Sequence, residues 1–263
     1  MKDPLGRPPL LLVAPAALAT LFLIVPLGGL IVRTPWPNLL DALGNEDVRS
    51  ALWLSVMTAT VAMLICVLAG LPLAWLLARV EFPGRGALRT LVTVPLVLPP
   101  VVAGVALVSA FGRKGILGAP LLDLTGFAFP YTTYGVVMAH VFVSMPFVVI
   151  SIEGALRSTN KAYDAAAATL GATRWATFRR VTVPLAFPGI VAGMVLGWAR
   201  SIGEFGATIT FAGNYPGTTQ TMPTLVYQKL QSEPEAAYTL SLVMLFVSVA
   251  VLLLLRDRWL VSP

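Results

Sequence analysis

Arg200 and Glu204 stand out because they place two opposite charges four residues apart within a long apolar segment. Side chains at this spacing pair on a helix, and pairing makes charge tolerable in apolar surroundings. Charged groups inside such a segment usually face a protein interior or a water-filled path. We therefore expect the pair to border a substrate route or its gate. A structural ion pair near the end of the segment is the alternative.

No catalytic or metal-binding constellation can be assembled from the sequence. His140 is the one histidine and Cys66 the one cysteine, which excludes a histidine cluster, a cysteine metal cage and an internal disulfide. The sequence lacks a GxxxxGK[ST] phosphate loop, so it cannot bind ATP in that way. A proton relay at His140 is conceivable, but we expect a core histidine with satisfied nitrogens. We predict that the chain is not an enzyme and binds no cofactor or metal.

Six long apolar stretches must position these residues. Hydrophobic residues make up 57% of the 263 residues and charged residues 11%, whereas soluble proteins carry about 25% charged residues. Each stretch provides the roughly 20 residues that a helix needs to cross a bilayer. We predict an all-α, polytopic membrane protein with six transmembrane helices in a single domain, residues 1–263. The stretches are 9–32, 51–78, 88–111, 131–152, 183–211 and 236–255.

The positive charges predict the orientation of these helices. Twelve of the eighteen lysines and arginines fall in the segments 1–8, 79–87, 153–182 and 256–263 or, for Arg89, at the adjoining helix end. Five fall in the segments on the other side. Short loops rich in positive charge stay in the cytoplasm, so we expect a multi-pass protein of the cytoplasmic membrane with both termini inside. No stretch interleaves aromatic and basic residues as a nucleic-acid surface would.

The longest cytoplasmic loop, 153–182, is predicted to form two short helices. Ser158 or Asn160 can cap the first helix, whose body KAYDAAAATL consists mostly of good helix formers. Gly171 can adopt the left-handed conformation that ends a helix. Thr173 can then cap the second helix, TRWATFRRV.

We expect the second helix to end before Pro184, and we expect the pair of helices to contact another protein. The alanines at 165–168 leave a surface with few side chains, which can lie close against a partner. Arg174, Arg179 and Arg180 flank this surface with charge. The alternative is an amphipathic hairpin that rests on lipid headgroups.

The string DAAAATLGATRWATFRRVTVP resembles the EAA loop of the membrane-spanning permease subunits of ABC importers. That pattern is Glu-Ala-Ala, three residues, Gly, nine residues and Ile-x-Leu-Pro. Aligned on Gly171, the spacing matches throughout, but the family's Glu falls on Ala165 and the acid lies one position earlier. The residues that carry the match to the coupling loop are Asp164, Ala165, Ala166, Ala167, Gly171, Arg174 and Pro184.

This resemblance implies a transmembrane domain of the type I ABC importer architecture. In that family the loop sits in a cleft of a separate ATP-hydrolysing subunit and transmits its closure to the transmembrane helices. The resemblance implies two copies of this chain, two ATPase subunits that bind ATP and Mg²⁺, and an external binding protein. The lipid bilayer surrounds the assembly, and no nucleic acid is expected.

A second resemblance concerns the substrate. The segments 203–207, 221–223 and Tyr227 resemble the corresponding region of molybdate, tungstate and sulfate permeases, and PLVLPPVVAGVALVSAFGRKGILG is most similar to molybdate permeases. The resemblance implies import of a tetrahedral oxyanion, with molybdate first and sulfate or tungstate as alternatives. The outer loop 213–235 is expected to dock the binding protein. An ion-coupled secondary transporter and a membrane-embedded enzyme are the rival functions.

Prolines and glycines inside the apolar stretches leave two questions open. Pro95, Pro99 and Pro100 free backbone carbonyls within the third stretch, which favours either a substrate path or a simple packing kink. In the fifth stretch, glycines recur every fourth residue, a spacing that lets two helices approach closely. The contact could lie between two copies or within one copy. The glycines are Gly189, Gly193 and Gly197.

Overall fold

The structure is a computed structural model that describes residues 10–160 and 162–259. Lys2, Arg7 and Lys161, which contributed to the charge count, lie outside the described residues, as do the side chains of Arg256 and Arg258. The described residues form helices joined by turns and short extended links, without a strand among them.

The α-helices are α1 (Leu10–Arg33), α2 (Leu39–Gly44), α3 (Glu46–Arg79), α4 (Arg85–Val97), α5 (Pro100–Phe111), α6 (Gly118–Thr125), α7 (Thr133–Ser158), α8 (Ala162–Thr169), α9 (Arg174–Thr177), α10 (Val183–Ile202), α11 (Gly206–Phe211), α12 (Met222–Ser232) and α13 (Pro234–Trp259). A 3₁₀ turn, Trp36–Asn38, precedes α2, and a π-helical segment, Phe178–Thr182, joins α9 to α10.

Five of the six predicted spans contain a continuous helical run that is long enough to cross a membrane. These runs are α1, α3, α7, the run Arg174–Ile202 that contains α9 and α10, and α13. The predicted fifth span, 183–211, is continuous only to Ile202, and its last residues form the separate helix α11. The third apolar stretch differs, because it folds as two helices, α4 and α5, bent by 119° relative to each other. The predicted set of six spans therefore consists of five continuous helices and one bent pair.

The bend between α4 and α5 follows from consecutive prolines. Leu98 and Pro99 connect the two helices in an extended conformation, with ψ angles of 132° and 137°. Each of these residues precedes a proline, and the residue before a proline is disfavoured in the helical region. Two adjacent residues leave the helix together, and the result is a sharp turn where a single proline would give a mild kink.

α7 lies at the centre of the bundle, between α3 and α10. The largest apolar cluster combines buried residues of these three helices, including Leu77, Ile152 and Ile190. α1 lies at the edge and packs against α13, and none of its apolar span is buried. Its exposed apolar side chains are suited to contact with lipid.

The glycine-rich face of α10 packs within one copy of the chain. A β-carbon at Gly189 would meet Ala155 of α7, and one at Gly193 would meet Ser151 of the same helix. A β-carbon at Gly197 would meet Met63 of α3 and Val148 of α7. Intramolecular helix packing therefore accounts for the spacing of these glycines.

Candidate functional site

The loop 153–182 folds into a helix, a turn and a second helix, as the sequence predicted. Asn160 caps α8, because its side-chain oxygen accepts a hydrogen bond from the Ala162 amide at 2.9 Å. Ser158, the other candidate cap, is the last residue of α7, and its hydroxyl bonds within that helix. We call residues 160–182 the hairpin, and the end of the bundle that carries it the hairpin end.

The turn of the hairpin has the predicted glycine geometry. Gly171 has a φ of +80°, the left-handed conformation that glycine adopts without strain. Thr173 then caps α9, since its hydroxyl oxygen accepts the Ala176 amide at 3.2 Å. Both local predictions are confirmed.

The prediction that the second helix ends before Pro184 is wrong. α9 continues through the π-helical segment into α10 without a loop. The Val183 amide donates to the Phe178 carbonyl, five residues back. Pro184 lies in the first turn of α10, where the missing N–H of a proline is best tolerated. A change of helix type therefore accommodates the proline and joins the hairpin directly to a transmembrane helix.

The outer face of the hairpin is accessible and combines small alanines with large exposed side chains. Ala165 and Ala166 are exposed, and Ala167 is half-buried. Leu170 and Trp175 are 88% and 69% exposed. The flanking arginines are exposed as well: Arg174, Arg179 and Arg180. The predicted docking residues thus remain available to a partner.

Asp164 points away from this face, toward the bundle. Its Oδ2 lies 3.4 Å from Nε of Arg79, in the last turn of α3. Its Oδ1 accepts a hydrogen bond from the Thr182 hydroxyl at 3.1 Å. The sequence analysis missed this contact, because Arg79 and Asp164 are far apart in the chain and no local pattern connects them.

A second charged cluster joins three helices at the hairpin end. Glu153 of α7 pairs with Arg89 of α4 and, at 2.8 Å, with Arg157 one turn further along α7. The Leu77 carbonyl of α3 accepts hydrogen bonds from Arg85, at 2.9 Å from Nε, and more distantly from Arg89 and Arg157. The four-residue spacing of Glu153 and Arg157 was the one signal in the sequence that could have found this cluster.

The predicted pairing of Arg200 and Glu204 is present, but the two residues are not on one helix as expected, because α10 ends at Ile202 and Glu204 lies in the link to α11. Nη2 of Arg200 lies 2.5 Å from Oε2 of Glu204, whose side chain is 1% exposed, whereas the Arg200 side chain is 28% exposed. The second carboxylate oxygen accepts the Ala207 amide at 2.7 Å, so Glu204 also caps α11. A buried carboxylate needs such partners, because an unpaired buried charge is costly.

The proline bend lies next to this ion pair. Pro99 leads into α5, and Pro100 contacts Gly206 so closely that a β-carbon at position 206 would lie 2.5 Å from the Pro100 β-carbon. Gly206 follows Glu204 by two residues. α10 separates this region from the hairpin by 20 residues, roughly 30 Å of helix.

His140 is a core residue, but its nitrogens are not satisfied as predicted. The residue is 1% exposed, and neither ring nitrogen has a hydrogen-bond partner in the described part of the chain. The neighbouring hydroxyls are already engaged: Ser144, one turn along α7, bonds Ser201 at 2.7 Å, and Thr58 donates to the Leu54 carbonyl. Among the described residues, no group of His, Cys, Asp or Glu could hold a metal ion.

The chain is similar to known permease proteins over most of its length. The molybdenum transport system permease protein ModB of Mycobacterium bovis is 44% identical over 239 residues, covering 91% of this chain and 90% of that protein. ModB of Escherichia coli is 41% identical over 210 residues, covering 80% and 92%. The sulfate transport system permease protein CysT of Escherichia coli is 36% identical over 236 residues, covering 88% and 85%.

The fold has a counterpart among solved structures. A chain of a bacterial alginate ABC transporter, crystallised with a pentasaccharide-bound periplasmic protein, matches with a TM-score of 0.75 at 19% identity, covering 96% of this chain and 95% of that one. The predicted fold, a transmembrane domain of the ABC importer type, is confirmed. A family model described as binding-protein-dependent transport system inner membrane component matches residues 70–261, which include the hairpin and the ion pair. The chain therefore belongs to the family of binding-protein-dependent transport system inner membrane components.

Proposed function

We propose that the chain is the permease subunit of an ATP-driven importer of a tetrahedral oxyanion, and that this oxyanion is molybdate. The observation that carries the proposal is the similarity to ModB proteins, at 44% identity in Mycobacterium bovis and 41% in Escherichia coli. The sulfate permease CysT, at 36% identity, makes sulfate the second candidate. Tungstate, a tetrahedral dianion like molybdate, is to be tested beside both.

In this proposal a separate subunit hydrolyses ATP. The sequence has no phosphate loop, and the hairpin offers an exposed surface of alanines, apolar side chains and arginines on which an ATPase can dock. ATP and Mg²⁺ bind to that partner. Two copies of this chain assemble with two ATPase subunits, and each hairpin contacts one of them.

The hairpin end lies in the cytoplasm in this proposal. Positively charged segments stay on the inner side of the membrane, and the arginines at this end supply that charge. With an even number of crossings, both termini lie inside. The loop 213–235 then lies at the outer end of the bundle, where an external binding protein delivers the anion. Arginines described at the hairpin end are Arg79, Arg85, Arg89, Arg157, Arg174, Arg179 and Arg180.

We assign the substrate gate to the region where Pro99 and Pro100 meet the ion pair of Arg200 and Glu204. A broken helix within the membrane often marks a translocation path. Arg200 is partly exposed and carries the positive charge that an oxyanion can approach, while Glu204 holds it in place. The gate does not need high affinity, because selection of the anion lies mainly with the external binding protein.

The proposal is tested by reconstituting the chain in liposomes with its ATPase subunit and the external binding protein. We expect uptake of radiolabelled molybdate that requires ATP and binding protein. Excess tungstate should compete more strongly than excess sulfate. A matched preparation with a hydrolysis-deficient ATPase provides the control. Uptake driven by an ion gradient without ATP would overturn the importer assignment, and strong competition by sulfate would move the substrate to the second candidate.

A further inference from the structure

The hairpin has few points of attachment to the membrane helices. Neither α8 nor α9 contains a buried residue among those described. A cavity of about 390 Å³ separates the hairpin from the end of α3, and Arg79, Asp164, Ala168 and Thr182 are among the residues that line it. Movement of the hairpin must therefore reach the bundle through its two chain ends or through the contacts that cross this cavity.

One carboxylate makes both polar contacts from α8 across the cavity. Oδ2 of Asp164 lies 3.4 Å from Nε of Arg79 in α3, and Oδ1 accepts the Thr182 hydroxyl at 3.1 Å in the segment that leads into α10. α3 and α10 are the two helices that pack most extensively on α7. Asp164 thus connects α8 to the end of α3 and to the segment that leads into α10.

The burial of Arg79 makes this contact more than a surface ion pair. The Arg79 side chain is 7% exposed, and its Nε has no hydrogen-bond partner in the described chain, so the Asp164 charge is its near counterion. Exposed ion pairs contribute little, but a buried charge that loses its partner is strongly destabilised. Separating Asp164 from Arg79 would therefore cost free energy, which favours movement of the two residues together.

The Thr182 hydroxyl can form either of two hydrogen bonds. Its one hydroxyl hydrogen has two acceptors within reach, Asp164 Oδ1 at 3.1 Å and the Thr177 carbonyl at 3.4 Å. If Asp164 moves away, the Thr182 hydroxyl can still donate to the Thr177 carbonyl, at the end of α9. π-helical turns inside α-helices are frequently found at functional sites.

We propose that Asp164 is the positioning residue that transmits movement of α8 to α3 and α10, through Arg79 and Thr182. The inference rests on the proposed function, in which an ATPase moves the hairpin. It assigns the acid of the hairpin to contacts within the chain, whereas Ala165 and Ala166 beside it are exposed and remain available to the partner.

The test uses the complete transporter with its ATPase and binding protein, and measures molybdate taken up per ATP hydrolysed. We expect Asp164→Asn to lower this ratio roughly five- to tenfold while ATPase association is unchanged. Thr182→Val should lower it as well, and Thr182→Ser, which keeps the hydroxyl, should not. Glu81→Gln is the matched control, because it removes an exposed carboxylate from the same cavity.

The double variant Arg79→Asp with Asp164→Arg exchanges the two charges. It distinguishes a role of Asp164 through Arg79 from a role through direct contact with the ATPase. We expect the double variant to restore most of the molybdate uptake per ATP hydrolysed that is lost in Asp164→Asn. An unchanged ratio in both Asp164→Asn and Thr182→Val overturns the inference, as does loss of ATPase association that the double variant does not restore. Absence of ATP-driven uptake in the unmodified transporter instead overturns the proposed function, and this inference with it.

Discussion

Gly206 packs against Pro100 with no room for a side chain: a β-carbon at position 206 would lie 2.5 Å from the Pro100 β-carbon and 3.0 Å from its carbonyl carbon. Because the backbone of Pro100 is one of the obstacles, a rotamer change cannot relieve the clash. This contact fixes the start of α5 on the start of α11, beside the buried carboxylate of Glu204.

Gly206→Ala is therefore expected to destabilise the protein by about 1–3 kcal/mol, the usual cost of overpacking a well-packed contact. Thermal unfolding of the purified protein in detergent measures the effect. Gly203→Ala is the control, because the nearest atom to its added β-carbon is 3.7 Å away and the Gly203 φ is negative. Equal melting temperatures for the two variants would contradict the packing argument.

Gly189→Ala is expected to destabilise a single copy of the chain by a similar amount, about 1–3 kcal/mol, because the added methyl group meets Ala155 of α7. Gly154→Ala, in α7, should be neutral or stabilising, since nothing lies near its added methyl group and alanine favours helices. Unfolding should be measured together with oligomeric state. A Gly189→Ala protein of normal stability that no longer forms pairs of copies would assign the glycine face to the interface between copies.

Gly171→Val is expected to uncouple ATP hydrolysis from uptake. A β-branched residue at the Gly171 φ of +80° is strained by about 1–2 kcal/mol, which disfavours the turn of the hairpin. Gly126→Val imposes the same kind of strain at a φ of +69° after α6, outside the hairpin. Uptake per ATP hydrolysed should fall in the first variant only. Similar ratios in the two variants would argue against a coupling role for the hairpin.

Arg200→Ala and Glu204→Ala are both expected to reduce molybdate uptake without preventing assembly with the ATPase. Arg200→Ala leaves the buried Glu204 carboxylate without its cation, and the loss of stability should be about 3 kcal/mol, at the low end for buried pairs because Arg200 is partly exposed. Uptake must be normalised to the amount of folded transporter. If normalised uptake equals that of the unmodified protein, the pair is structural and has no role in the gate.

The spans and the local turns could be predicted because their causes are local. A bilayer requires about 20 apolar residues per helix, and Gly171 and Thr173 act within one turn of their own position. The pairing of Arg200 with Glu204 was predicted from helical spacing, and it forms although Glu204 lies two residues beyond the end of α10. These features depend on the order of neighbouring residues, which the sequence contains.

The features that escaped prediction depend on contacts between distant segments. Asp164 meets Arg79 only because the hairpin folds back on the end of α3. The glycine face of α10 was ambiguous until its neighbours on α7 were known. Whether the helix ends before Pro184 or continues past it depends on whether the preceding turn is π-helical, and no residue pattern there predicts a π-helical turn.

The Leu77 carbonyl at the end of α3 accepts bonds from arginines of α4 and α7, and the charge of those arginines complements the negative end of the α3 dipole. Because Glu153 of α7 also holds Arg89 of α4, displacing one of these three helix ends strains the other two. If the ATPase of the proposed importer moves the hairpin, a force that reaches Arg79 should therefore tilt these three helices together. In the proposed importer, the movement would then reach the far side of the membrane as a rotation of the three helices, with little bending within any one of them.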